Sequence, residues 1–428
     1  MGTILKGATL VEFEPATVEL ADLRIEEGHI VARDARLTPE ERDEVIDVRG
    51  KIIIPGLVCA HHHLYASLAR GMPPPAPKPE SFAQSLERSW WRLDQSLDLD
   101  TVQISATVGA LDALACGTTT VFDHHASPKA ISGSLTRVAR GLNEVGLRAV
   151  LAYEVTDRHG AQGREEGLEE NVSFAKKARG RFRGMVGAHA CFTLSRDALE
   201  GLRRACEEVG AGVHLKLGED VVDERLSFER YGQVPVARLL DAGLLTPHAL
   251  VAHAVALSWP ELSQVITTGA WLVHNPRSNM NQQVGYAPAG KFGARAMLGT
   301  GGLGADMLAE AQVAHFRALD AGQPMDALHY LANAQRYASQ LFGEAIGVLR
   351  EKAVADLVIL DYRTPTPLTA ENLAGHLLYG WSARWVESVM VDGVWRMWAR
   401  RPLSVNPEAV AEQARHSAQA LWARMAQI

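Results

Sequence analysis

A surplus of positive charge is missing from this chain. Its 428 residues carry 50 acidic side chains against 43 basic ones, for a formal net charge of −7. That balance excludes a protein held on nucleic acid by charge alone. No apolar run approaches the roughly 18 residues needed to cross a bilayer. The opening MGTILKGATLVEFEP has no charged stretch leading into a long apolar one. The expected setting is therefore cytoplasmic, with a small-molecule substrate, no nucleic acid and no membrane. Cysteine is scarce too: Cys59, Cys116, Cys191 and Cys206 are scattered with no CxxC, so neither a disulfide framework nor a thiolate zinc site is indicated. Cys59, on an apolar strand, reads as packing rather than as a nucleophile. Lysine is the least used charged residue, nine against 34 arginines, so a lysine in an unusual place stands out.

Apolar residues make up 47% of the chain, enough for one large domain with a smaller partner. Both ends read as β-structure. ILKGATLV, VELADLRIEEGHIVAR and DEVIDVRGKIIIPG near the start, and ADLVILDY and WVESVMVDGVWRMW near the finish, carry alternating runs with Glu-Gly and Asp-Gly hairpin turns. One small β-domain built from both termini is expected. The middle alternates short apolar strands (GLVCAHHH, TTTVFDHH, RAVLAYEV, FRGMVGAHA, AGVHLKL, HALVAHAV, AWLVHNP, AMLGTGG) with amphipathic helices such as DLDTVQISATVGALDALACG and SRDALEGLRRACEEVG. Eight such units in about 300 residues suit an α/β fold of the (β/α)8 barrel type better than an open sheet. PPPAPKP, residues 73–79, can be neither helix nor central strand and reads as a loop at the mouth. The boundaries that follow are 1–54 with 352–404 for the composite β-sandwich, 55–351 for the barrel, and 405–428 for a C-terminal helix beginning near Pro407.

Eight of the 16 histidines are the main positive signal, because they fall at strand ends: His61 and His63, His124 and His125, then His189, His214, His253 and His274. In a parallel barrel those ends converge on one mouth, and several imidazoles can face one centre. Imidazole nitrogen suits zinc or iron. Period-two geometry puts His61 and His63 on one face and His62 on the other.

PGLVCAHHHL resembles the PG-(L/V)-(V/I)-N-x-H-x-H-L signature of the amidohydrolase superfamily, in its cytosine-deaminase and chlorohydrolase (ATZ/TRZ-like) branch. ALACGTTTVFDHHASP, GAHACFTLS, VHNPRSNMNQQVGYAP and ADLVILD extend the likeness over most of the chain, and HHHLYASLARGM with DHHASP is most similar to the SsnA-type aminohydrolases. The resemblance implies a distorted (β/α)8 barrel, a homodimer and hydrolysis of a C–N bond in a nitrogen heterocycle or amidine-like molecule. It also implies one divalent metal, zinc or iron, held by the HxH pair, a His after the fifth strand and an Asp after the eighth.

Carried over position by position, His61 and His63 match the HxH. His189 matches a substrate-side His, Glu219 the proton-shuttling Glu and His253 the sixth-strand His. Two metal-ligand positions depart: Lys216 stands where the fifth-strand His is expected and Gly301 where the Asp is expected. An ammonium at Lys216 could replace part of the metal's charge, act as a base or form an imine, or be carboxylated as a ligand. Three readings follow. One is a metal-dependent hydrolase with an atypical site. The second is a metal-free enzyme using Lys216, Glu219 and His253. The third is a non-catalytic homologue binding a ligand or an active paralogue. Trp91, His125 and Asn275, near the expected mouth, read as substrate-facing.

Overall fold

The computed structural model describes residues 2–428; Met1, the first residue of the expected β-segment, lies outside the described residues. The N-terminal strands are β1 (Thr3–Phe13), β2 (Ala16–Glu26), β3 (His29–Asp34), β4 (Glu44–Asp47) and β5 (Ile52–Pro55). Glu27 and Gly28 between β2 and β3 both adopt positive φ, +47° and +85°, as a tight hairpin of the right twist requires. The middle strands are β6 (Leu57–His62), β7 (Thr118–His125), β8 (Arg148–Tyr153), β9 (Phe182–Gly184), β10 (Val186–Ala188), β11 (Val213–Leu217), β12 (Leu250–His253), β13 (Trp271–His274) and β14 (Ala296–Leu298). The C-terminal strands are β15 (Leu357–Leu360), β16 (Val386–Val391), β17 (Val394–Trp398) and β18 (Arg401–Pro402).

The two ends of the chain meet in one nine-stranded sheet, where β5 pairs antiparallel with β15, Ile52 opposite Leu360 and Pro55 opposite Leu357. Leu5, Leu10, Leu23, Ile53, Leu357 and Ile359 bury its inner face. The middle forms two parallel sheets, β6-β7-β8-β9 and β10-β11-β12-β13-β14. Single parallel bridges join the edges of these sheets, Val155 to Ala188 and His62 to Gly301. The run FRGMVGAHA, read as one strand, divides at Met185. β9 continues the sheet of β8 and β10 starts that of β11, because the chain passes from one sheet to the next at this point.

These strands are buried on both faces, which is why their sequences read as continuous apolar runs. One internal cluster takes Val58, Phe122, Val150, Leu250, Trp271 and Met297 from successive strands and closes against Tyr337 and Phe342 of the helix Ala327–Phe342. The loop 73–79 leads into three short helical pieces, Phe82–Ser85, Leu86–Trp90 and Trp91–Ser96. The C-terminal helix, Pro407–Met425, starts with proline in its first turn and Asn406 as its cap, where a missing N–H costs nothing. It braces two segments: Trp422 Nε1 donates to the Leu68 carbonyl at 3.0 Å in the 64–69 turn, and Arg424 Nε donates to the Ser96 carbonyl at 2.7 Å at the end of the 82–96 segment.

Candidate active site

The register of β6 explains how three consecutive histidines divide. Cys59 pairs with Val121 and His62 with Asp123 on β7, so Ala60 and His61 together oppose Phe122. Such an extra residue re-aims the side chains beyond it. His61 and His63 turn inward with ring centroids 4.8 Å apart, and His61 Nδ1 meets His214 Nε2 at 2.8 Å. His62 turns outward to the Thr300 hydroxyl at 2.8 Å.

Around His63 lies a cluster only partly foreseen from the sequence. His63 Nδ1 donates to the backbone carbonyl of His124 at 2.6 Å, and His124 Nε2 donates to that of His214 at 3.1 Å. Glu154, immediately after β8 and 3% exposed, is the hub. Its Oε1 takes Lys216 Nζ at 3.2 Å and His189 Nε2 at 3.0 Å, while Oε2 lies 3.2 Å from His124 Nδ1. Burial opposes ionisation of Glu154, but Lys216, His189 and His124 outweigh it and hold its carboxyl well below the usual range. Burial, reinforced by neighbouring positive groups, drives His61, His63 and His214 well below the ordinary imidazole range. His189 is driven down as well, by burial against the opposing pull of Glu154, so these four rings are neutral at pH 7.

Glu219 and His253 face each other nearby. His253 Nδ1 meets Asn279 Oδ1 at 2.9 Å, and its Nε2 lies 3.6 Å from Glu219 Oε2. Burial lowers the His253 pKa although Glu219 pulls it up. Phe82, Leu86, Trp90, Trp91 and Asp94 of the 82–96 segment close over Lys216, Glu154, His189, Glu219 and His253, leaving a chamber of about 30 Å³. Trp91 is held between the His189 ring, 6.2 Å away, and the Arg158 guanidinium, 4.6 Å from the ring centroid.

The sequence-derived candidates thus separate by place. His61, His63, His189, Lys216, Glu219, His253 and Trp91 converge on one region. His125 turns away, its Nε2 2.9 Å from the Ser127 hydroxyl, and its ring packs near Tyr65 and Tyr153. Asn275 is fully buried and folds back to donate to the Val273 carbonyl at 3.2 Å. Glu154 and His124 belong to the cluster but were not singled out. The available signal was an acid at the end of an apolar strand, in RAVLAYEV, at the level where other strands end in histidine. Cys59 is buried with its thiol pushed up to about 11, consistent with packing.

The sequence profile of the Amidohydrolase family matches residues 52–396. The chain belongs to the amidohydrolase family. Among relatives of this amidohydrolase, a 5-methylthioadenosine/S-adenosylhomocysteine deaminase of Desulforudis audaxviator is 31% identical over 417 aligned positions, covering 94% of each chain. A 5'-deoxyadenosine deaminase of Methanosarcina mazei is 28% identical over 442 aligned positions, 99% of each. Two solved structures share its fold. An adenosine deaminase of Xanthomonas campestris with bound zinc gives a TM-score of 0.87 at 22% identity, covering 98% of both chains. A zinc complex of atrazine chlorohydrolase from Arthrobacter aurescens gives 0.84 at 22%, covering 97% of this chain and 100% of that one.

The four metal-ligand positions that the family resemblance implies offer no fitting donor set for that metal. Two are the imidazoles of His61 and His63. The third is the Lys216 ammonium, already paired with Glu154, and an ammonium offers no lone pair. The fourth, Gly301, has φ +55°, and a Cβ there would meet Ser278 Oγ at 2.7 Å. The backbone at 301 is thus shaped for glycine, and an aspartate side chain finds no room.

Proposed function

We propose that this chain hydrolyses a C–N bond in a planar nitrogen heterocycle or amidine-like small molecule, as an aminohydrolase of the amidohydrolase family. The reading is supported by relatives named as deaminases of adenosine-type nucleosides and by one geometric observation. Glu219 and His253 stand 3.6 Å apart at the chamber wall, too far for a direct hydrogen bond and close enough to share one water. Trp90, which also lines the chamber, would pack against a flat ring.

In this reading His253 keeps its Nδ1 proton on Asn279, so its Nε2 lone pair accepts a hydrogen bond from the attacking water and aims the water's oxygen at the ring carbon. Glu219 takes a proton from that water and returns it to the departing nitrogen, as a single carboxylate can do on both sides of the tetrahedral intermediate. Because the family's ligand quartet does not fit, no step is assigned to a metal at that position. Lys216, tied to Glu154, contributes positive charge at the chamber wall.

The same reading takes residues 55–351 as a closed (β/α)8 barrel. Its support is the pair of bridges between the edges of the two parallel sheets. Residues 1–54 and 352–404 are taken as the composite β-sandwich, and 405–428 as the C-terminal helix. A cytoplasmic homodimer with a divalent metal cofactor completes it by resemblance. The test is ammonia release from a panel of exocyclic-amino heterocycles and nucleosides. Glu219→Gln is expected to lower kcat by about 10²–10⁴-fold with little change in KM. Turnover at the wild-type rate in that variant would sink the reading.

A further inference from the structure

We propose that a divalent cation binds at His63 Nε2, His124 Nδ1 and Glu154 Oε2, a centre displaced from the ligand positions that the family resemblance implies. The proposal rests on the reading of this chamber as the reaction site, but its test does not require turnover.

The first support is tautomeric. His63 Nδ1 and His124 Nε2 each point at a backbone carbonyl, 2.6 Å and 3.1 Å away. A carbonyl only accepts, so both of those nitrogens carry the proton. The lone pairs therefore sit on His63 Nε2 and His124 Nδ1. Pinning one ring nitrogen on a carbonyl is how protein metal sites orient a histidine ligand.

The second support is direction. His124 Nδ1 and Glu154 Oε2 are 3.2 Å apart, yet both are buried without a hydrogen-bond partner. They are close without being aligned on each other, and a shared third point satisfies both. Two ligands about 2.0–2.1 Å from one ion lie roughly 3.0–3.4 Å apart. His63 brings the third donor: one ligand atom from each of His63, His124 and Glu154 lies within 4.8 Å of the other two.

The third support is the division of labour on Glu154. Lys216 and His189 take Oε1 at 3.2 Å and 3.0 Å, which fixes the carboxylate and leaves Oε2 turned toward the imidazoles. Two imidazoles and one carboxylate form a donor set of the kind that holds catalytic zinc with a position left open. His63 and Glu154 both line the chamber beneath Trp90 and Trp91, so the open position faces the substrate space. Lys216 opposes the cation by like charge, which makes this centre weaker than one without an adjacent ammonium.

The experiment is zinc titration of the metal-stripped full-length protein by calorimetry, with metal analysis of the purified protein and Co²⁺ absorption as an independent view of coordination. One equivalent is expected. His124→Asn and Glu154→Gln should each weaken binding by about 10²-fold or more, while His61→Asn should change it less than about threefold. Lys216→Met should tighten it. Glu154→Asp, the milder change, should keep the fold and shift the Co²⁺ spectrum. Binding that survives Glu154→Gln and His124→Asn but fails in His61→Asn overturns the assignment in favour of the family position. Binding lost in Lys216→Met, or none at all in the wild type, overturns it too. Ammonia release is scored separately, so cation binding that follows this pattern without turnover counts against the proposed function alone.

Discussion

Gly301 shows how one residue closes a chemical option. Its left-handed φ of +55° and the 2.7 Å approach to Ser278 Oγ mean that Gly301→Asp adds strain before it adds a ligand. A loss of about 1–3 kcal/mol is expected by chemical denaturation, with no gain in zinc affinity; an unchanged midpoint would contradict this account. Asp223 offers a second residue-scale test. Burial, reinforced by the Glu219 charge, raises its carboxyl to about 7, and it accepts from the Gly218 amide at 2.8 Å. A carboxyl raised in the fold stabilises fully below its unfolded value, about 3.9, and loses that contribution as pH climbs through the folded one. On this group's account stability should therefore fall between about pH 4 and 7, by up to roughly 4 kcal/mol, with the melting temperature following it down and levelling off above. Asp223→Asn should flatten that part of the profile. An identical slope in the variant would remove Asp223 as the cause.

Strand β6 and the 82–96 segment carry the element-scale argument. Alternation along a strand already separates His61 and His63 from His62. The local insertion opposite Phe122 is invisible in the sequence, because it depends on the partner's register. The 82–96 segment is held from outside by the C-terminal helix, Arg424 Nε donating to the Ser96 carbonyl and Arg92 Nη2 to the Met425 carbonyl, and a chamber of about 30 Å³ holds a water or two and no heterocycle. The segment must yield for substrate to bind. Arg424→Ala should loosen it, visible as faster limited proteolysis within residues 70–96 and a KM raised about 3–10-fold with kcat retained. Equal proteolysis rates in both proteins would place the brace elsewhere.

At the scale of the whole molecule, the parallel sheets and the nine-stranded sheet are tied by a buried ion pair, Arg148 Nε to Asp356 Oδ2 at 2.9 Å. Asp356 Oδ1 also accepts from the Asp392 amide at 2.6 Å. Asp356→Asn leaves the buried guanidinium with only the Asp392 carboxylate, 3.6 Å away, and is expected to cost about 3–5 kcal/mol. A change below about 1 kcal/mol in urea unfolding would mean the tie is dispensable. The meeting of the two termini in one sheet follows from matching β-patterns at both ends. Their joint, β5 against β15, is a pairing across some 300 residues that no local pattern specifies.

What the amino-acid sequence determined alone is whatever rests on local periodicity and residue type. That covers the strand–helix alternation, the hairpin turns at Glu27-Gly28 and Asp392-Gly393, and the histidines at strand ends. It also covers Lys216 and Gly301, which depart from the ligand pattern that the family resemblance implies. Only the tertiary structure decided which polar groups share a centre. Glu154 and His124 lie 30 positions apart, on elements whose ends meet only when the strands assemble, and Lys216 found its partner in a residue with no distinguishing motif. A buried charge is compensated by whatever side chain packing brings within reach, and that choice is made in three dimensions.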